Sequence, residues 1–191
     1  MFCINHNKII KALFLLLQLL PVCSFAQDQR PNIIYIMTDD MGYGDLSCYG
    51  RKDYTTPYLD KLASQGVKFM NAYAGGPMCT PTRTSFMTGR YPARTPVGLY
   101  EPLAQKDSLV GLTPIYPSIA TFMKKAGYTT HLIGKWHLGF LPAMSPVKNG
   151  FDEFFGYKSG GIDHISHTNT FGQNDLYEND NPIVKKGYLT E

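Results

Sequence analysis

The sequence of residues 79–90 is Cys-Thr-Pro-Thr-Arg-Thr-Ser-Phe-Met-Thr-Gly-Arg, and the other motifs of the chain are arranged around it. A threonine and a proline favour a helix N-terminus just after Cys79, and Gly89 can end the helix. Helix N-termini bind oxyanions, and Arg83 lies one turn beyond Cys79 on the same helix face. The stretch therefore predicts a short helix whose N-terminus, thiol and guanidinium converge on a tetrahedral anion.

The chain before this helix predicts a βαβ unit. Residues 32–37 are a continuous apolar and β-branched run, typical of a strand buried on both faces of a parallel sheet. Residues 56–66 have helical spacing, with a proline in the first turn and a glycine at the end, and residues 67–73 predict the next strand. Ligands bind at the carboxyl ends of such strands. The core face of the helix is predicted to consist of Tyr58, Leu59, Leu62 and Ala63.

Two adjacent carboxylates, Asp39 and Asp40, follow the first predicted strand. Buried next to each other they would repel, and a hard cation with oxygen ligands would neutralise them. The alternative is a solvated pair of aspartates that caps a turn. The pair alone does not decide between these interpretations.

The second half of the chain repeats the helix–strand order. Residues 117–126 predict a helix and residues 128–133 a strand, which ends at the sequence Gly-Lys-Trp-His-Leu-Gly of residues 134–139. Lys135 and His137 would point the same way if the backbone stayed extended. The predicted fold class is α/β, with a mostly parallel central sheet flanked by helices. The inward residues of this helix are predicted to be Ile119, Phe122, Met123 and Ala126.

Three motifs together resemble the type I, formylglycine-dependent sulfatases, an arylsulfatase-like family of the alkaline phosphatase-like superfamily. They are Cys-x-Pro-x-Arg with a following Thr-Gly-Arg, the segment Asp-Asp-Met-Gly-Tyr-Gly-Asp-Leu of residues 39–46, and Gly-Lys-Trp-His-Leu-Gly. The commonest form of the family has serine where this chain has Thr82. The resemblance implies the fold of that superfamily.

The resemblance also implies a catalytic apparatus. A sulfatase-maturing, formylglycine-generating enzyme would convert Cys79 to formylglycine, whose hydrate offers one hydroxyl to attack sulfur and a second to expel sulfate as the carbonyl re-forms. Asp39, Asp40 and the residue at 79 would hold Ca²⁺, although carboxylates also accept Mg²⁺. Arg83 and Lys135 would bind the hydrate and the sulfate, and His137 would transfer a proton at the hydrate.

A third region, residues 150–157, is also similar to the family and leads to His164 and His167. These two histidines are predicted to contact the substrate, a sulfated carbohydrate or an aryl sulfate ester. The alternative is a polar loop without a function. Residues 175–179 predict a turn and an edge strand.

The leader sequence, the net charge and the cysteines indicate the compartment and the class of partner. Residues 1–26 form a predicted secretory signal peptide with cleavage after Ala26, and its removal takes two lysines, so the mature charge is 16 − 15 = +1. This charge does not favour nucleic acid, and no stable membrane span is expected. We predict a periplasmic or secreted product and rank a lipoprotein anchored through Cys23 below it. In an oxidising compartment Cys48 and Cys79 would ordinarily pair, which the formylglycine interpretation forbids.

The resemblance extends over about residues 31–157, the first half of a sulfatase domain. We therefore predict that residues 27–191 are the N-terminal part of a truncated catalytic domain, which alone would bind metal weakly and show little or no turnover. The family supplies a further Asp-Asn or Asp-Gln metal pair, a histidine and a lysine after this point. Two alternatives remain open: an inactive, truncated glycan-binding domain, and a phosphodiesterase or phosphonate hydrolase of the same superfamily.

Overall fold

The computed structural model describes residues 30–190, and the chain divides into two compact units, Met1–Asp40 and Met41–Glu191. The predicted signal peptide of residues 1–26 and the alternative lipidation site at Cys23 lie outside the described residues. Between residues 30 and 190, no helix has both the length and the apolar character needed to cross a membrane.

The first unit contributes residues 30–40, which adopt no regular secondary structure. The strand predicted at residues 32–37 is absent, and its side chains are exposed: Ile34 is 85% and Ile36 77% accessible. A strand exists only through its ladder partners, and an apolar run buried on both faces needs covering layers as well. The described residues of this unit provide neither ladder partners nor covering layers, so an apolar composition alone does not produce a strand here.

Helix α1 spans Pro57–Gln65, as predicted, but its predicted core face is wrong. Tyr58 is 89% and Leu62 63% exposed, and no residue of the helix is buried. Polar contacts fix α1 instead: Asp60 accepts hydrogen bonds from the Cys48 amide at 2.8 Å and the Thr56 hydroxyl at 2.9 Å. Residues 67–73 form no strand, so the predicted βαβ unit is not formed.

The second unit contains a mixed four-stranded sheet, and the α/β class is confirmed. Its first two strands are parallel, with Lys135 opposite Tyr157, and the two following pairings are antiparallel. The strand predicted at residues 128–133 begins three residues later. The strand predicted within 175–179 is present, but it pairs on both sides and is therefore not an edge strand. In sheet order the strands are β1 His131–Lys135, β2 Glu153–Tyr157, β3 Leu176–Glu178 and β4 Asn181–Pro182.

Two more helices flank the sheet, α2 at Cys79–Thr88 and α3 at Ile119–Lys125. The Ser118 hydroxyl caps α3 by accepting the Thr121 amide at 3.1 Å. The predicted inward face of α3 is only partly correct, because Ile119 packs against the core whereas Phe122 is 55% exposed. The fully buried position of α3 is Ala120. The short helix presents a narrower face to the core than its apolar spacing suggested.

The core of this unit surrounds the chain just after β1. Trp136 is 2% exposed, donates its indole N–H to the Met144 carbonyl at 2.9 Å and meets Phe151 edge-on. Because Trp136 separates Lys135 from His137, its burial fixes the position of both. The buried cluster consists of Met87, Val97, Leu103, Leu112, Ala120, Trp136, Leu138, Phe151 and Phe154.

Candidate active site

Helix α2 begins at Cys79 and has Met78 as its N-cap, two residues earlier than predicted, since Thr80 was expected as the N-cap and Pro81 as the first helical residue. Its predicted end is confirmed: Gly89 adopts the left-handed conformation with φ of 63°, and its amide donates to the Ser85 carbonyl at 2.8 Å. Cys79 is thus the first helical residue, where the helix dipole favours negative charge.

The chain leading into α2 needs glycine because it lies directly on the helix. A Cβ on Gly75 would stand 1.8 Å from the Ser85 hydroxyl oxygen, and one on Gly76 would stand 2.8 Å from the Pro81 Cβ. The Thr82 hydroxyl donates to the Gly76 carbonyl at 2.6 Å and holds this approach in place. A serine at position 82 would offer the same donor, so the departure from the commonest family motif keeps the contact.

The predicted residues Cys79, Arg83 and Lys135 are brought together where α2 meets the end of β1. Lys135 Nζ lies 3.3 Å from Cys79 Sγ, and Arg83 Nη1 donates to the Lys135 carbonyl at 2.7 Å. Lys135 is only 8% exposed. An ammonium and a guanidinium therefore converge beside position 79 in a place of reduced solvent screening. This arrangement favours an anion at that position.

His137 is also buried beside α2, but not for the predicted reason. Strand β1 ends at Lys135, and His137 has a φ of 53°, so the extended alternation of the two side chains is wrong. A left-handed conformation at a residue other than glycine costs roughly 1–3 kcal/mol and needs support from its surroundings. His137 has that support: its amide donates to the Lys158 carbonyl, and its Nε2 lies 2.9 Å from the Leu103 carbonyl oxygen.

Within residues 30–190, neither Cys48 nor Cys79 forms a disulfide, so the pairing expected for an oxidising compartment is not made. Desolvation raises the pKa of the Cys48 thiol, and its hydrogen bond with Asp60 acts in the same direction. Cys48 is consequently held as a neutral thiol near α1. Cys79 stays available for modification, as the formylglycine interpretation requires.

The two histidines of the loop after β2 have different surroundings. His164 is exposed and stacks on Tyr188 with ring centroids 5.3 Å apart. His167 is 3% exposed, and within residues 30–190 neither of its ring nitrogens has a hydrogen-bond partner. Hydrogen bonds from the Ser166 and Ile165 amides lower the pKa of Asp163, which shapes the turn between the two histidines. Substrate contact by His164 and His167 stays a prediction.

Asp39 and Asp40 end the first unit, and both carboxylates are exposed. Asp40 has a φ of 53°, a conformation that aspartate tolerates better than most residues. Their oxygens suit a hard cation, whereas a cysteine thiolate at position 79 is a soft ligand. The ligand predicted at position 79 would therefore suit Ca²⁺ only if it presented oxygen, which conversion of Cys79 to formylglycine would provide.

Sequence reasoning missed three residues that surround His137. Thr80, interpreted as an N-cap, uses its hydroxyl to contact both Leu103 and His137. Leu103 acts through its main chain, for which a sequence gives no signal. Gly160 packs against the His137 ring, and the Gly-Gly pair after β2 was the available sign of a close approach.

Comparisons with known proteins bear on the family of the chain. The sulfatase family model matches residues 31–190. Human N-acetylgalactosamine-6-sulfatase is 41% identical over 67% of the chain, and rat steryl-sulfatase is 43% identical over 74%. The chain spans 26% of the length of each of these two relatives.

Solved structures give the same family. The crystal structure of Ps i-CgsB matches with a TM-score of 0.76 and 35% identity, over 85% of this chain and 39% of that one. A second structure of Ps i-CgsB, in complex with k-i-k-neocarrahexaose, matches with a TM-score of 0.70 and 32% identity, over 80% of this chain and 37% of that one.

Proposed function

Because the chain belongs to the sulfatase family, we propose that it hydrolyses sulfate esters with a formylglycine made from Cys79. The observation that carries this proposal is the 3.3 Å contact between Lys135 Nζ and Cys79 Sγ at the first residue of α2. A cation at that distance from the nucleophilic position stabilises negative charge on the transferring sulfate group. A second support is that Cys79 forms no disulfide among the described residues, since maturation needs a cysteine that is not disulfide-bonded.

Each of the described side chains has a separate role in the proposed reaction. Lys135 binds a sulfate oxygen beside position 79. Arg83, through its 2.7 Å bond to the Lys135 carbonyl, joins α2 to β1 and adds a second positive charge to the site. His137 accepts a proton from the hydrate at position 79. His164 and His167 contact the organic part of the substrate.

Asp39, Asp40 and the oxygen of the matured residue 79 would hold a Ca²⁺ ion, and Mg²⁺ is an acceptable substitute for the same oxygen donors. A bound divalent cation supplies Lewis-acid polarisation and lowers the pKa of the attacking hydroxyl. The two adjacent carboxylates, with a third oxygen made by oxidation of Cys79, support this assignment.

The substrate class is a sulfated carbohydrate or an aryl sulfate. Relatives named for N-acetylgalactosamine 6-sulfate and the k-i-k-neocarrahexaose complex of a structural neighbour support a sulfated sugar. Maturation requires a formylglycine-generating enzyme. The leader sequence of residues 1–26 supports a periplasmic or secreted product.

The proposal is tested by hydrolysis of an aryl sulfate and an aryl phosphate diester by the full-length parent protein, co-produced with a formylglycine-generating enzyme. We expect release of the aryl alcohol from the sulfate to exceed release from the diester and to disappear in Cys79→Ala. Preference for the diester would favour the phosphodiesterase alternative. Affinity for a sulfated glycan without turnover, together with an unmodified Cys79, would favour the glycan-binding alternative.

A further inference from the structure

The imidazole of His137 is fixed through one of its two nitrogens. Nε2 lies 2.9 Å from the main-chain oxygen of Leu103, and His137 is only 3% exposed. A carbonyl oxygen can only accept a hydrogen bond, so Nε2 must carry the proton. A neutral ring held in this way has its lone pair on Nδ1. The tautomer is thus determined by a backbone group outside the Lys-Trp-His motif.

Thr80 closes a network around this contact. Its hydroxyl accepts a hydrogen bond from the Leu103 amide at 3.0 Å and donates to the His137 carbonyl at 3.3 Å. Thr80 is fully buried, so water does not compete for its hydroxyl. Because Thr80 directly follows Cys79, the same network joins the ring of His137 to the helix end that carries position 79.

Gly160 has no side chain and therefore leaves room for the imidazole ring of His137. A Cβ built on Gly160 would stand 2.7 Å from His137 Cε1 and 3.0 Å from Nε2, closer than real Cβ atoms approach. Cε1 lies between the two ring nitrogens, so a methyl group there would displace the part of the ring that bonds Leu103. The neighbouring Gly161 differs, because a Cβ on Gly161 meets no atom within 4 Å. The requirement for glycine is therefore specific to position 160.

We propose that Thr80, the Leu103 carbonyl and Gly160 hold His137 as the Nε2–H tautomer, which makes Nδ1 the atom that takes the hydroxyl proton at position 79. This inference rests on the proposed function of His137 beside the formylglycine hydrate. When the hydroxyl attacks, its O–H bond breaks and an Nδ1–H bond forms. The resulting imidazolium keeps its Nε2–H bond to Leu103, now strengthened by the positive charge. The alcohol leaves as its S–O bond breaks and takes a proton from water, and the imidazolium gives its proton back to water. Sulfate is expelled when the second hydroxyl of the hydrate loses its proton to water and the carbonyl re-forms.

The test is a long-range ¹H–¹⁵N correlation spectrum of the chain with ¹⁵N-labelled histidine, above the pH at which the imidazoles are protonated. The His137 signals are assigned by their loss in His137→Gln. We expect the unaltered chain to show a protonated Nε2 and an unprotonated Nδ1 at His137. Gly160→Ala should lose this pattern or show both tautomers, whereas Gly161→Ala, the matched control, should retain it.

A protonated Nδ1 in the unaltered chain would overturn the inference, as would identical His137 spectra for Gly160→Ala and Gly161→Ala. If Gly160→Ala does not fold, Thr80→Val and Thr80→Ser provide the second pair. Serine keeps the hydroxyl and should retain the tautomer, whereas valine should not, and equal spectra for both would contradict the inference. This readout needs no turnover, so a chain with the expected tautomer but an unmodified Cys79 would refute the proposed function alone.

Discussion

Replacing Thr80 by valine should destabilise the second unit by removing a hydroxyl without changing the volume of the side chain. Thr80 is fully buried, and its hydroxyl serves the Leu103 amide at 3.0 Å and the His137 carbonyl at 3.3 Å. Leaving a buried amide unsatisfied costs about 1–3 kcal/mol, and the longer bond adds less, so we expect a loss of roughly 2–3 kcal/mol. That is a large share of the roughly 5–15 kcal/mol by which a domain is stable.

Urea denaturation followed by tryptophan fluorescence measures this loss. Trp136 is the only tryptophan of the chain and lies in the core of this unit, so its emission reports on the relevant unfolding. With a typical urea dependence, the midpoint should fall by roughly 1–2 M. Thr80→Ser is the control, because it keeps the hydroxyl and loses one buried methyl group, worth about 1 kcal/mol. A valine variant as stable as the serine variant would refute the reasoning.

Three further predictions concern charge, backbone conformation and anion binding. The hydrogen bond from Lys124, and to a smaller extent that from the Thr130 amide, lowers the pKa of Asp152 from 3.8 to about 2. The contribution of Asp152 to the free energy of unfolding is therefore complete above pH 3.8 and is lost as pH falls through 2. The melting-temperature difference between the unaltered chain and Asp152→Asn should therefore shrink as pH falls from 5 to 2, and a constant difference would contradict this cause. Gly89→Ala should lower the free energy of unfolding by roughly 1–2 kcal/mol, because alanine is strained at the left-handed φ of 63°. The added Cβ meets no neighbouring atom, so the loss would come from the backbone alone. An unchanged free energy of unfolding in a urea titration would exclude the left-handed conformation at position 89. Replacing chloride by sulfate at equal ionic strength should raise the melting temperature of the unaltered chain, and the rise should be smaller in Lys135→Met. Lys106→Met, which alters an exposed lysine, is the control and should show the full rise. Equal rises in all three proteins would mean that sulfate binds away from Lys135.

The helices and their ends were the part of the fold that the sequence predicted best, because caps act within a few residues. Gly89 ends α2 as predicted, through a contact with Ser85, whereas α2 and α3 each begin two residues away from their predicted first residues. The strands at residues 32–37 and 67–73 failed for the opposite reason. Ladder partners and covering layers lie far away in sequence, and composition does not specify whether they are supplied.

The candidate site was predicted by residue type more accurately than by geometry. Lys135 and Arg83 lie beside the helix start that carries Cys79, as the motifs indicated. The orientation of His137 could not be derived, since it depends on a left-handed backbone, a main-chain carbonyl and a glycine 23 positions later. None of these has a side-chain signature. Sequence patterns therefore specified which groups meet, whereas tertiary contacts specify how they are held.

The central claim concerns the chemical state of position 79, and peptide mass spectrometry measures it directly. The chain should be produced with a formylglycine-generating enzyme and digested without reduction, so that Cys48, the other cysteine of the described residues, serves as the internal control. The account predicts an aldehyde at position 79, reactive toward a hydrazide probe, and an unchanged thiol at Cys48. An intact thiol at Cys79, or a disulfide between Cys79 and Cys48, would contradict it.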